Sequence, residues 1–189
     1  MNNLLHSLKE NTLLVADTGD IDQIRSIRPQ DATTNPSLIM KSVKSEHYSD
    51  LFAKSTDYAK EQSSDLSAQM AHASDYFLVS VGTRILAEIK GRVSNEVDAR
   101  LSFDTEKTIE KGVELINLYD QMGVGKERVF IKIAATCESI KAAQHLEKIG
   151  IKCNLTLIFS LAQTKSCAES NVFLISPFCW QNFRLVQSQ

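Results

Sequence analysis

Lys132 stands in the middle of Val129-Phe130-Ile131-Lys132-Ile133-Ala134, with an isoleucine on either side of its amine. Apolar surroundings disfavour an ammonium, and the free amine can attack a carbonyl carbon to form a Schiff base. The simpler reading is an edge-strand lysine facing water. Asp17 and Glu96 each sit at or near the end of a β-prone run, where a carboxylate suits general acid–base work. Taken singly, each reads more simply as a helix cap or half of an ion pair. Asn35 precedes Pro36, a turn-initiating pair. Asn154 and Thr156 are two apart and share one face of a strand, with Leu155 and Leu157 on the other. In an ordinary sheet such a polar face meets solvent; in a closed barrel it meets the active site. With Ser176, these residues place one amine, two carboxylates, two amides and two hydroxyls near the carboxyl ends of six successive runs. Independent surface positions would seldom line up in this way.

The elements that must position them follow from the pattern of short apolar runs and longer helical stretches. Leu13–Ala16 reads as a strand that stops at the polar turn Asp17-Thr18-Gly19-Asp20. A short helix follows over Ile21–Arg28, closed by Pro29, and then a brief β-prone run over Ala32–Thr34. Helical spacing resumes at Ser37 and runs through Leu51. A second helical region extends from about Asp65 to Lys90, with Gly91 as its stop. Arg92–Val97 is strand-like, and Asp104 or Thr105 can cap the helix carrying Ile109, Val113, Ile116 and Tyr119. Val129–Ala134, Cys153–Phe159 and Val172–Ser176 are strands, separated by helices over Ser139–Ile149 and Leu161–Glu169. Strands alternating with helices predict right-handed βαβ units and a parallel sheet. Such sheets gather their chemistry at the carboxyl ends of the strands.

Composition narrows the class. The 189 residues are 43% hydrophobic and 23% charged, with seven Gly and three Pro, which fits one globular domain and excludes collagen-like or low-complexity sequence. The net charge of −2 argues against a nucleic-acid partner. No apolar run approaches the roughly 20 residues of a membrane helix, and the start, Met1-Asn2-Asn3-Leu4, lacks a basic n-region. A cytoplasmic protein with neither membrane nor nucleic-acid partner is therefore expected. The four cysteines, Cys137, Cys153, Cys167 and Cys179, form no C-x-x-C pair, so no metal site and no disulfide framework is expected.

The segment Asp31-Ala32-Thr33-Thr34-Asn35-Pro36-Ser37 resembles a signature of the transaldolases. So do Val93-Ser94-Asn95-Glu96-Val97-Asp98-Ala99-Arg100, the run around Lys132, Cys153-Asn154-Leu155-Thr156-Leu157, and Ile175-Ser176-Pro177-Phe178. The resemblance runs from about Leu4 to Phe178. It implies a (β/α)8 TIM barrel, class α/β, and a cofactor-free enzyme of the non-oxidative pentose phosphate pathway. Such an enzyme moves a dihydroxyacetone unit from a ketose phosphate to an aldose phosphate. By position, Lys132 would be the Schiff-base lysine. Asp17 and Glu96 would shuttle protons, Glu96 through a water held with Thr156. Asn35, Asn154 and Ser176 would hold the hydroxyls of the three-carbon unit, and Phe178 would line the pocket. Cys137 stands where the family often has Trp. Substrates would be sugar phosphates, and a homodimer is open for the complete family form. A Schiff-base aldolase working without an acceptor is the near relative.

After Phe178 the sequence departs from the family, which continues close to Val-Gly-Arg-Ile-Leu-Asp-Trp-Tyr with the Arg gripping substrate phosphate. Here Gln181 takes the place of that Arg, and Arg184 lies in a stretch without family character. A synonymous coding of Phe178–Gln189 that loses a single T reads Phe-Val-Gly-Arg-Ile-Leu-Asp-Trp-Tyr-Lys-Ala. Two regions are therefore expected: a partial barrel domain over 1–178, with about six of eight strands, and an out-of-frame tail over 179–189. Its first and sixth strands would be open edges. The alternative to an enzyme is an inactive truncated remnant with no catalytic role.

Overall fold

The computed structural model describes residues 4–43 and 45–178, so the expected tail over 179–189 lies outside the described residues. The chain divides into two compact units, Met1–Asn95 with Leu118–Arg128, and Glu96–Asn117 with Val129–Gln189.

The first unit carries α1 (Leu4–Asn11), β1 (Val15–Asp17), α2 (Ile21–Ile27), β2 (Asp31–Thr33), α3 (Pro36–Ser42), α4 (Ser49–Gln62), α5 (Leu66–Leu86) and all but the last residue of β3 (Val93–Glu96). The strands pair in parallel and in chain order, Ala16 beside Ala32 and Ala32 beside Val93. The helices begin where side chains can take the orphan N–H groups of a first turn. Asp20 accepts from Asp22 and Gln23 at α2, and Asp65 accepts from Ala68 at α5. Helix α2 ends with Arg28 in the left-handed region, one residue before Pro29. The core buries Ile21, Ile24, Val79, Val81 and Ile85 completely or nearly so. Tyr48 is buried with them and donates its hydroxyl to the Gly19 carbonyl at 2.7 Å.

Several boundaries differ from expectation: the helical stretch expected from Ser37 through Leu51 is broken after Ser42 and resumes as α4 at Ser49. Helix α1 has no buried residue, so it left no apolar run to read. Helix α5 stops at Leu86, four residues before Lys90, and the Arg128 guanidinium donates to the carbonyls of Leu86, Ile89 and Gly91 beyond it. Gly91 serves close approach instead of helix termination. A Cβ there would overlap the Asp31 carboxylate and lie 2.5 Å from the Gln30 carbonyl oxygen.

The second unit carries the start of α6 (Thr105–Gln121), then β4 (Val129–Ala134), α7 (Cys137–Lys148), β5 (Cys153–Ile158), α8 (Leu161–Glu169) and β6 (Leu174–Pro177). Asp104 caps α6 through the Lys107 N–H, Thr136 caps α7 and Ser160 caps α8. Gly150 follows α7 with φ +81°, a backbone that glycine adopts without strain. Again the strands are parallel and in chain order, with Lys132 beside Asn154 and Asn154 beside Leu174. Every residue of β4 is buried. In β5 the expected alternation fails at one place. Leu157 does not pack with Leu155; it takes φ +58°, is 41% exposed, and sits in a register irregularity between Leu155 and Ile158.

Candidate active site

The second unit brings Lys132, Glu96, Asn154, Thr156 and Ser176 into one neighbourhood. Lys132 lies in the interior of β4 with its side chain only 9% exposed, so it is no edge-strand lysine. Its Nζ is 3.1 Å from Oε2 of Glu96, the last residue of β3, whose side chain is 13% exposed. A buried charge is tolerated when it is paired. The same carboxylate stands where a proton leaving the ammonium would go. The Val97 N–H donates to the Lys132 carbonyl at 2.9 Å, which fixes the backbone beside both groups.

Asn154 and Thr156 are 2% and 3% exposed. Asn154 is the register partner of Lys132, and Thr156 the partner of Ala134. The polar face that would meet solvent in an ordinary sheet is thus enclosed. Ser176 donates its hydroxyl to Oδ1 of Asn154 at 2.8 Å, linking β5 to β6. Phe178 follows β6 directly, is 40% exposed, and stacks on Phe159 with ring centroids 5.5 Å apart.

Asp17 and Asn35 belong to the first unit. Asp17 closes β1 and is exposed. Asn35 follows β2 and caps α3, its Oδ1 receiving the Leu38 N–H at 3.0 Å with Pro36 next in line. Gln181 and Arg184 lie outside the described residues.

Sequence reasoning passed over further polar residues in each unit. Thr33 closes β2 two residues before Asn35, and its buried hydroxyl oxygen has no hydrogen-bond partner among the described residues. Asn95 is fully buried beside Glu96 in sequence. It accepts from the Thr34 hydroxyl at 3.0 Å and donates to the Tyr119 hydroxyl at 2.6 Å and to the Leu78 carbonyl at 3.1 Å. Burial pushes the Tyr119 phenol far above its ordinary value, with the Asn95 contact acting in the opposite sense. Glu147 on α7 accepts backbone N–H groups from Cys153 and Phe173, both at 2.9 Å, and pairs with Lys152. Burial, and then the Glu147 charge, push the Cys153 thiol well up, which leaves it a packing residue.

Among the described residues no group of histidine, cysteine and carboxylate side chains could hold a metal ion. No helix among them is long and apolar enough to cross a membrane.

Parallel strands in chain order, alternating with helices, define an α/β fold. Residues 14–187 match the transaldolase/fructose-6-phosphate aldolase family. The chain is 54% identical over 178 residues to a transaldolase of Methylobacillus flagellatus, 53% to one of Methylomonas aminofaciens and 52% to one of Pseudoalteromonas atlantica. Each of these comparisons covers 94% of this chain and 56% of the relative, so the chain spans about half the length of the relatives it matches. The chain belongs to the transaldolase/fructose-6-phosphate aldolase family, and six strands of an incomplete (β/α)8 barrel lie among the described residues.

Proposed function

We propose that this sequence carries transaldolase chemistry through a Schiff base on Lys132. The observation that supports it best is the enclosed amine 3.1 Å from the Glu96 carboxylate, with Asn154 as its strand-register neighbour. Glu96 accepts the proton of the Lys132 ammonium, and the amine adds to the ketone carbon of a ketose phosphate. Loss of water from that adduct, assisted by a proton returned from Glu96 through a water held with Thr156, gives the imine. Cleavage of the carbon–carbon bond then releases an aldose phosphate and leaves the three-carbon enamine on Lys132. The enamine attacks the aldehyde of the acceptor, and water restores the amine. Asn154 and Ser176 hold the hydroxyls of the three-carbon unit, and Phe178 lines the way in. Asp17, as second proton carrier, and Asn35, as a further hydroxyl ligand, enter this reading through the family resemblance.

Donors would be sedoheptulose 7-phosphate or fructose 6-phosphate, and acceptors glyceraldehyde 3-phosphate or erythrose 4-phosphate. The setting would be the non-oxidative pentose phosphate pathway in the cytoplasm. The alternative reading is a polypeptide with no catalytic role. Incubation with dihydroxyacetone, reduction by borohydride and peptide mapping separate the two. An adduct on Lys132, absent from Lys132→Met, supports the enzyme. No adduct, or one on Lys126 or Lys141, overturns the assignment.

A further inference from the structure

We propose that Gln163 is a positioning residue. Its carboxamide holds the exit of β5 in a left-handed bend and so keeps Thr156 on the enclosed face beside Lys132. Nothing in the chemistry above uses Gln163, and its place in Ser160-Leu161-Ala162-Gln163 has the spacing of a helix capping box. A capping box accounts for one half of its contacts. The Gln163 Oε1 accepts from the Phe159 N–H at 3.0 Å and from the Ser160 hydroxyl at 3.2 Å, at the head of α8. Capping does not need the other half. The Gln163 Nε2 donates to the Ala135 carbonyl at 2.9 Å and to the Leu157 carbonyl at 3.1 Å. Ala135 follows the strand that carries Lys132, and Leu157 follows Thr156. One side chain thereby ties the ends of both strands.

Leu157 is where such a tie is needed. It has a β-carbon and lies at φ +58°, a region that costs L-residues energy and persists where surrounding contacts impose it. An extended Leu157 would carry β5 straight on. The observed bend instead returns Ile158 to the core at 1% exposure, and the Ala135 N–H donates to the Thr156 carbonyl at 2.8 Å. Thr156 is therefore fixed to β4 by its own ladder bond and borders the bend on its other side.

The role in catalysis rests on the Schiff-base reading; the bend itself does not, and the test separates them. Three versions of the full chain are compared: the parent, Gln163→Met, and Gln163→Met combined with Leu157→Gly. Methionine keeps the length and removes all four hydrogen bonds, while glycine adopts positive φ without penalty. Amide exchange over Thr156–Phe159 is expected to quicken by about 10-fold in Gln163→Met and to return towards the parent in the double variant. Borohydride-trapped adduct with dihydroxyacetone is expected to form roughly 10-fold more slowly in Gln163→Met, with rescue in the double variant, since misplacement by about 1 Å costs up to ~10²-fold. Unchanged exchange in Gln163→Met overturns the clamp, and so does a loss that Leu157→Gly fails to rescue. If the parent forms no adduct, the Schiff-base reading fails, and exchange alone still decides the clamp.

Discussion

The two proposed proton carriers stand in contrasting places. Glu96 closes a strand whose other three residues are buried and lies against Lys132 at 3.1 Å. Asp17 closes a three-residue strand and is exposed. The first carboxylate is held by the fold and holds it in return, because two enclosed charges are stable only together. The second can be altered at little structural cost. A residue kept for chemistry and a residue kept for stability are therefore confounded at Glu96 and separable at Asp17. Strand length and burial differ between the units as well. Lys132 and Asn154 ride on six-residue strands with nearly continuous burial, whereas β1 and β2 have three residues each.

The contrast is sharpest in stability. Glu96→Gln removes the carboxylate charge that pairs with the enclosed Lys132 ammonium at 3.1 Å, and breaking such a pair costs about 3–5 kcal/mol. Urea unfolding is the measurement, and pairing Lys132→Met with Glu96→Gln is expected to recover most of the loss. Asp17→Asn should stay within about 0.5 kcal/mol of the parent. Rate separates them differently. If both carry protons, each variant slows turnover by about 10²–10⁴-fold, measured on a chain whose tail reads Val-Gly-Arg-Ile-Leu-Asp-Trp-Tyr. A destabilised but fully active Glu96→Gln would reduce Glu96 to a structural partner.

The next effect concerns how each unit braces its polar residues. In the first, Asn95 and Tyr119 meet under Gly82, where an added Cβ would overlap the Tyr119 hydroxyl and come 2.9 Å from the Asn95 amide nitrogen. Gly82→Ala should lower stability by about 1–3 kcal/mol, as overpacking does. In the second, the brace is a charge. Glu147→Leu removes the acceptor of the Cys153 and Phe173 N–H groups and should cost about 1–3 kcal/mol per donor left unsatisfied. Exchange of those two amides locates the damage. If it spread evenly over β4 and α7, Glu147 would not be a local clasp.

Much of this frame was legible in the sequence because it is written in local pattern. The run around Lys132 has five apolar residues in six, and burial follows. Asp20 and Asp65 stand where helix starts were read and cap them through contacts three or fewer residues away, whereas Thr136 starts α7 two residues before the expected Ser139. The pairs that brace the fold left no such mark. Asn95 and Tyr119 are 24 residues apart, and Gln163 reaches 28 residues back to Ala135. Gly91 read as a helix stop because glycine punctuates helices, yet its small size serves the Asp31 carboxylate and the Gln30 carbonyl. Leu157 read as a packed strand residue because alternation cannot foresee a left-handed backbone.

Side-chain access gives a smaller effect that again divides by place. Burial raises the thiols of Cys153 and Cys167, whereas Cys137 is exposed at the start of α7. Iodoacetamide near pH 8 should label Cys137 well before the other two, since the thiolate is the nucleophile. Rapid labelling of Cys153 in the native chain would show that β5 opens.

The smallest effect expected is the response of surface ion pairs to acid. Arg84 on α5 meets Asp50 on α4 with two bonds of 2.9 and 3.0 Å, and this contact holds the Asp50 carboxyl far below its ordinary value. In the second unit, Arg100 likewise depresses Asp98, but the two are two residues apart in one turn. A carboxyl lowered in the folded state adds stability that is present above its unfolded value, near 3.8, and is lost as pH falls through the folded value. Acid should therefore loosen the α4–α5 contact, which joins separate helices, more than the local Asp98 turn. Amide exchange of α4 from pH 6 to below pH 2 reads this, with Asp50→Asn as the reference. The parent and Asp50→Asn should differ at pH 6 and converge as pH falls. Equal exchange at both pH values would mean that apolar packing alone joins the two helices, and high salt, which screens exposed pairs, should already weaken the difference at pH 6.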